Sequence, residues 1–317
     1  MRCFPIFYEV IDNELRRVVY YSVFYQLGFM VCGIGIGTAL ALNGTVAHAF
    51  SHILYKALLF MSMGAVLYRA GTVNGSDLGG LYKSMPKTTV LCIIGALSIS
   101  AFPLFSGFVS KSLILAAMIN EGYDYLWLAL LFASAGVFHH AGIKVPYFAF
   151  FAHDSGIRTR EAPVNMLIAM GVAAILCILI GSQPQLLYAI LPWPVEYWPY
   201  STTHVLSQLQ LLLFAALAFV WLKKTGIYPP ELPSVNLDAD WLYRKFTPNI
   251  IHTLYHSSCS VCDTVADTFH RTLNNTITSI LNSRLLRFNL AANWPTGSMV
   301  FWIAIILGFF LLADALH

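Results

Sequence analysis

Residues 45–69 read TVAHAFSHILYKALLFMSMGAVLYR. This apolar run is long enough to cross a bilayer core of about 30 Å as a helix. His48, His52 and Lys56 recur every four residues within it. On a helix they share one narrow face, each about 6 Å above the last. An ionisable group at membrane depth is costly, and by default it marks a proton or ion path. The plain alternative is a pair of packing histidines and a lysine that snorkels to the interface. Lys56 stands near the middle of the run, where snorkelling is hard.

The rest of the chain agrees with a membrane reading. Of 317 residues, 58% are apolar and 10% charged, against about 25% charged in a typical soluble protein. That composition rules out the one or two soluble domains the length would suit, and no nucleic-acid patch is visible. The six cysteines are scattered, and only Cys259 and Cys262 are close, so no disulfide framework is expected. The opening MRCFPIFYEVIDNELRR has neither a long apolar core nor a small-residue cleavage site, so no signal peptide is expected.

Runs of about 20 apolar residues predict seven spanning helices in an all-α polytopic membrane protein. They fall at about residues 18–42, 45–69, 88–120 (interrupted by Pro103 and Gly107), 125–152, 163–181, 203–222 and 299–315. The cations test this count. Arg2, Arg16 and Arg17 precede the first span, Arg69, Lys83 and Lys87 follow the second, and Arg158 and Arg160 follow the fourth. The remaining loop cations lie between the sixth and seventh. The alternate loops, around Asn43, at 121–124 and at 183–202, have none. The positive-inside bias then puts the N-terminus in the cytoplasm and the C-terminus outside. The 183–202 loop, with Tyr188, Trp193, Tyr197 and Trp198, suits the headgroup level. Residues 223–298 form a long polar cytoplasmic segment with a helical, amphipathic pattern from about 240 to 290.

Three lysines are left inside the spans: Lys56, Lys111 and Lys144. His140 lies one turn before Lys144 on the same face, whereas His139 points elsewhere. Pro146 lacks an amide hydrogen, leaves the Gly142 carbonyl unpaired and weakens the helix beside Lys144. Such breaks are tolerated where a helix lines a cavity or is buried in protein. The alternative for Lys144 is snorkelling from a bent helix end. Lys111 is either a polar link between Lys56 and Lys144 or an interhelical hydrogen-bonding residue.

His252, His256, Cys259 and Cys262 have metal-like spacing, but four ligands on one helix would crowd each other, so no metal is expected. Gly33, Gly35 and Gly37 lack the strand–turn–helix setting of a nucleotide loop and signal close helix packing. No catalytic triad, phosphate loop or cofactor motif is present, and a sodium cage of carboxylates is not visible.

At these residues the chain resembles a known family. The run His48-Ala-Phe-Ser-His52-Ile-Leu-Tyr-Lys56-Ala-Leu-Leu-Phe resembles the signature of the antiporter-like membrane subunits. These are shared by Mrp-type sodium/proton antiporters and respiratory complex I. Three further stretches agree in order: Arg16-Arg17 followed by YYSVFYQLG, Gly79-Gly80-Leu81 with Pro86, and Phe102-Pro103-Leu-Phe-Ser-Gly107-Phe-Val-Ser-Lys111. Together they cover residues 15–151. The tail is similar to the D-type subunit of Mrp antiporters.

The resemblance implies two inverted five-helix halves joined by a central line of lysines and histidines. The first five spans here correspond to the second half. With the spans read above, this divides the chain into an N-terminal segment (1–17), a translocation repeat (18–182), an outside loop with the sixth helix (183–222), a polar linker (223–298) and a last helix (299–317). The resemblance also puts His48, His52, Lys56, Lys111 and Lys144 at family positions along a proton path; with His140 from the spacing above, the expected path is His48, His52, Lys56, Lys111, His140 and Lys144, with helix breaks at Pro103, Gly142 and Pro146. The family's first-half glutamate–lysine pair is absent, so a fragment, or a subunit completed by a neighbour, is expected. Arg16 stands where the family often has lysine and serves only electrostatics.

The expected function is a proton-conducting subunit of a multisubunit monovalent cation/proton antiporter in a bacterial inner membrane. Protons, sodium ions, lipid and other membrane subunits are its expected partners. The alternatives are the equivalent subunit of an NADH:quinone oxidoreductase, a b-type haem protein with histidine ligands, and an inactive remnant.

Overall fold

The computed structural model describes residues 11–228, 232, 241–282 and 295–315. Arg2, most of the proline-rich YPPELP run at residues 228–233, Arg284 and Arg287 lie outside the described residues. Two compact units divide the chain, Met1–Asn236 and Leu237–His317. Among the described residues both are helical, and the only strand-like feature is a bridge between Glu14 and Asn74.

The first unit runs through α1 (Leu15–Ile36), α2 (Ala39–Ala70), α3 (Pro86–Ile99) and α4 (Ser106–Asn120). It continues with α5 (Asp124–Val137), α6 (Val164–Ser182), the short α7 (Pro184–Tyr188) and α8 (Thr202–Lys224). α2 is its axis, packing most extensively against α4, α1, α3 and α6. Its 32 residues span about 48 Å at 1.5 Å per residue, more than the hydrocarbon core needs.

Helices α1, α2, α6, α8 and the α5 span Asp124–Phe151 are each long and apolar enough to cross a membrane, while α3, α4 and Thr296–Leu312 are shorter apolar helices. The protein is an all-α polytopic membrane protein. Two boundaries differ from the sequence reading. The first turn lies at Gly37–Thr38 and not around Asn43. Gly37 closes α1 at φ +77°, a left-handed conformation that glycine adopts without penalty, and the Thr38 hydroxyl caps α2 by accepting from the Ala41 amide. Asn43 is buried within α2 instead. Its side chain donates to the Trp193 carbonyl at 2.8 Å and accepts from the Trp193 amide at 3.2 Å, so it ties the 183–202 loop down.

The third predicted span is two helices. Residues 100–105 break it, with Ala101 (φ 56°) and Leu104 (φ 73°) in the left-handed region. Such positions cost non-glycine residues about 1–3 kcal/mol each. Pro103 lies in this break. Gly107 lies beyond it, in the first turn of α4, where a Cβ would collide with the Ser98 carbonyl oxygen.

By contrast, the span at Gly142 and Pro146 does not separate. It underwinds into wide π-type turns at Phe138–Lys144 and Tyr147–Phe151. The Val145 amide reaches back five residues to the His140 carbonyl, so the missing proline amide is absorbed by a change of winding. Gly142 permits the close approach of Ser100, whose hydroxyl would meet a Cβ there.

One predicted cytoplasmic face is tied together by short polar contacts. Asn13 bonds Ser76 through both amide atoms, each at 2.9 Å. Glu161 accepts from the Lys87 amide at 2.8 Å and the Thr88 hydroxyl at 2.6 Å, a carboxylate at the N-terminus of α3. Asp154 pairs with Arg158 (2.7 Å) and Lys83 (3.0 Å), and these bonds hold its carboxyl well below the usual carboxylate range.

The second unit contains α9 (Thr247–Asn282) and α10 (Thr296–Ala315). The described side chains of α9 are almost all exposed, with Val261, Val265, Phe269, Leu273 and Ile277 along one face.

The close packing at α4 makes a testable contrast. Gly107→Ala is expected to lower the stability of the detergent-solubilised protein by about 1–3 kcal/mol through overpacking. Gly64→Ala, with nothing within 4 Å of its Cβ position, should leave it unchanged or slightly raised. Denaturation midpoints of the two variants check this.

Candidate functional site: buried lysines and histidines

α1 is the element that collects the embedded charges. Ser22 and Gln26 lie four residues apart on it and are fully buried, so both face the partner helices. From α2, the Lys56 ammonium donates to the Val19 carbonyl at 2.8 Å and to the Ser22 hydroxyl. His48, two turns earlier, has both ring nitrogens engaged, Nε2 with Gln26 Oε1 and Nδ1 with Ser110 Oγ, each at 3.0 Å. Between them, His52 is half-buried. Its ring lies 6.4 Å from that of His48 and 5.5 Å from that of Tyr55, and its Nε2 has no hydrogen-bond partner among the described residues.

Lys111 continues the line from α4. Its ammonium donates to the Ile99 carbonyl at 2.8 Å and approaches the Ser134 hydroxyl at 3.3 Å. Ile99 is the last residue of α3, so its carbonyl is one of the orphans that every helix C-terminus exposes. The negative end of the helix dipole favours a cation there. Phe29 joins this cation to the histidine: its ring centroid is 5.4 Å from Lys111 Nζ and 5.8 Å from the His48 ring. Ser110, bonded to His48, is the residue before Lys111.

Lys144 sits in the underwound part of the α5 span with no exposed surface. Its ammonium donates to the Asp12 carbonyl at 2.8 Å. His140 is buried beside it, and its Nδ1 is 3.2 Å from His139 Nδ1. His139 turns towards Phe219 and Tyr228.

The structure thus gathers His48, Lys56 and Lys111 around α1. Lys144 and His140 lie where the segment before α1 meets the α5 span. Sequence reasoning missed the acceptors Ser22, Gln26, Ser110 and Ser134. The signal was present as two polar residues one turn apart, Ser22 and Gln26, in an otherwise apolar helix. Both nitrogens of His48 are occupied, so this ring lacks the open nitrogen that an axial haem ligand needs. In the second unit His252 and His256 approach at 3.1 Å, but among the described residues no three His, Cys, Asp or Glu side chains are grouped to hold a metal.

Several apolar spans enclosing hydrogen-bonded lysine and histidine side chains define a polytopic membrane protein. Residues 8–138 match the family described as "NADH:quinone oxidoreductase/Mrp antiporter, TM".

Two curated relatives illustrate its range. The chain is 36% identical over 152 residues to the D-type subunit of the Na(+)/H(+) antiporter of Alkalihalophilus pseudofirmus, covering 48% of this chain and 30% of that protein. It is 29% identical over 254 residues to NADH-ubiquinone oxidoreductase chain 5 of Dictyostelium citrinum, covering 73% of this chain and 36% of that protein. A chain in the structure of the membrane-bound sulfane sulfur reductase, an archaeal respiratory membrane complex, superposes with a TM-score of 0.57 at 23% identity. That match covers 98% of this chain and 54% of the other. This chain therefore spans about a third of the length of these two curated relatives and about half of that solved chain.

The bridging role of Gln26 is open to test. Gln26→Leu removes the acceptor on His48 Nε2 and leaves a buried ring nitrogen unpaired, a loss of about 1–3 kcal/mol. Denaturation of the purified variant in detergent should show that loss, while Gln26→Glu, which keeps an acceptor at the same reach, should retain more of the stability.

Proposed function

We propose that this chain is part of a proton-conducting subunit of a multisubunit monovalent cation/proton antiporter. Protons move along His48, His52, Lys56, Lys111, His140 and Lys144. The observation that carries the reading is the sequestration of Lys56, Lys111 and Lys144 within apolar helices, each ammonium held by a backbone carbonyl. A carbonyl stabilises an ammonium by hydrogen bonding without itself carrying a charge. Rows of such groups linked through hydroxyls and imidazoles are the chemistry of a proton relay.

The distribution of loop cations supports a cytoplasmic segment before α1 and an outside loop at 183–202, in a bacterial plasma membrane. The partners are other membrane subunits of the same assembly. Sodium is the exchanged ion, as the name of the similar Na(+)/H(+) antiporter protein suggests.

A second reading has its own support. The match that extends over 73% of the chain is to a chain of an NADH-ubiquinone oxidoreductase. In that setting the same relay would be driven by redox chemistry in other subunits.

Lys56→Ala in the intact assembly is expected to lower sodium-driven proton movement in inverted vesicles at least tenfold, measured with a pH-sensitive dye. Unchanged exchange would remove the relay reading. If the same variant instead abolishes proton pumping driven by NADH oxidation, the second reading takes over.

A further inference from the structure

The second unit holds a pair of side chains that the relay does not use. His252 and His256 stand four residues apart on α9, so successive turns of the helix bring them to one face. Both are exposed, and their Nε2 atoms face each other at 3.1 Å, with the ring centroids 4.3 Å apart. In the neutral pair one Nε2 donates its hydrogen to the other.

That separation is also the span of two ligands on one metal ion. Nitrogens each about 2.0–2.1 Å from a zinc ion lie about 3.3 Å apart at the tetrahedral angle and about 2.9 Å apart at a right angle. The observed distance falls between the two, so the rings are already placed to admit an ion between them.

The surroundings favour a cation. His256 lines a polar hollow along α9 with Cys259, Asp263, Asp267 and Arg271, where two carboxylates outnumber one guanidinium. At about 100° per residue, the histidines lie on the side of the helix opposite Ile250, Leu254 and Val261. Those apolar side chains are exposed, and a surface that covered them would leave the two rings in water.

The crowding that excludes four ligands on one helix does not exclude two. Cys259 is seven residues beyond His252, about 10 Å along the axis, too far to share an ion held by both rings. Cys262 is turned about 80° away from His252. Among the described residues no third His, Cys, Asp or Glu joins the pair in a metal-holding group, so the protein contributes two ligands and water completes the shell.

We propose that His252 and His256 form a surface site for a divalent transition-metal ion, with zinc as its occupant. The site is independent of the relay reading. Imidazole nitrogen suits zinc, and zinc, unlike copper(II), takes no electron from the nearby thiols. On binding, the donating ring moves its hydrogen to Nδ1 and both Nε2 lone pairs turn to the ion, with no proton lost. The ion bridges one turn of α9, and its water-filled positions let it exchange.

The test uses the full chain, purified in detergent and stripped with a chelator, with zinc titrated against a chromogenic competitor. The parent should take up one ion at its tightest site. Replacing His252 or His256 should weaken that site at least about tenfold, the lower bound for losing even an outer partner of a metal ligand. Asn and Gln variants at each position separate ligation from helix propensity. His270→Asn, and Cys259→Ser combined with Cys262→Ser, should leave the affinity unchanged. Cobalt(II) in place of zinc should give visible bands without a thiolate-to-cobalt band in the ultraviolet.

Parent-like affinity in the variants of either histidine overturns the site. Loss of affinity in the cysteine variant, or a thiolate band in the parent, also overturns it and assigns the ion to sulfur. Absence of zinc uptake by the parent at sub-millimolar concentration overturns it outright.

Discussion

Burying an ammonium group in an apolar bundle is the constraint on which the rest of this structure turns. Lys56, Lys111 and Lys144 each have their ammonium on a backbone carbonyl at 2.8 Å. Helical carbonyls are normally engaged by the helix itself, so an irregularity is the readiest source of a carbonyl for a lysine. Two of the three acceptors are explained in this way. Ile99 ends a helix cut short, and Asp12 lies just ahead of α1. The third, Val19, lies inside α1, where Ser22 also returns its hydroxyl to the same carbonyl at 2.9 Å.

The strained turn between α3 and α4 follows from that need. Ala101 and Leu104 occupy left-handed backbone that non-glycine residues disfavour, and such strain persists only where surrounding contacts over-determine it. The contacts are present: Lys111 on Ile99, Gln208 on Ser100, and Gly107 against Ser98. The α5 span meets a related demand differently. Pro146 is absorbed by underwinding, so the helix stays continuous while Lys144 is turned inward beside Gly142, which lets Ser100 come close. One helix ends and the other changes pitch.

Much of the candidate site was legible because it rests on spacing. Steps of four put His48, His52 and Lys56 on one side of a helix whatever packs against it, and α2 places His48 and Lys56 fully inside. The Gly37–Thr38 turn was equally open to reading, since a glycine followed by threonine is a stop and a start signal. It was obscured because the apolar run continues through it, and hydropathy alone carries no information about φ. The break at residues 100–105 was visible through Pro103, but its extent was not, because Ala101 and Leu104 are residues that ordinarily continue a helix.

Composition and periodicity by themselves determined that this chain is a bundle of membrane helices, where its cations gather, and which ionisable residues are embedded. These are properties of local order, fixed by 3.6 residues per turn and by the cost of exposing polar groups to lipid. Only the tertiary structure decided what each embedded group touches. Gln26 meets His48 across 22 positions, Ser134 meets Lys111 across 23, and Asp12 meets Lys144 across 132. Such pairings depend on how helices pack and where backbones yield, and a single strand of sequence carries no distance between residues that far apart.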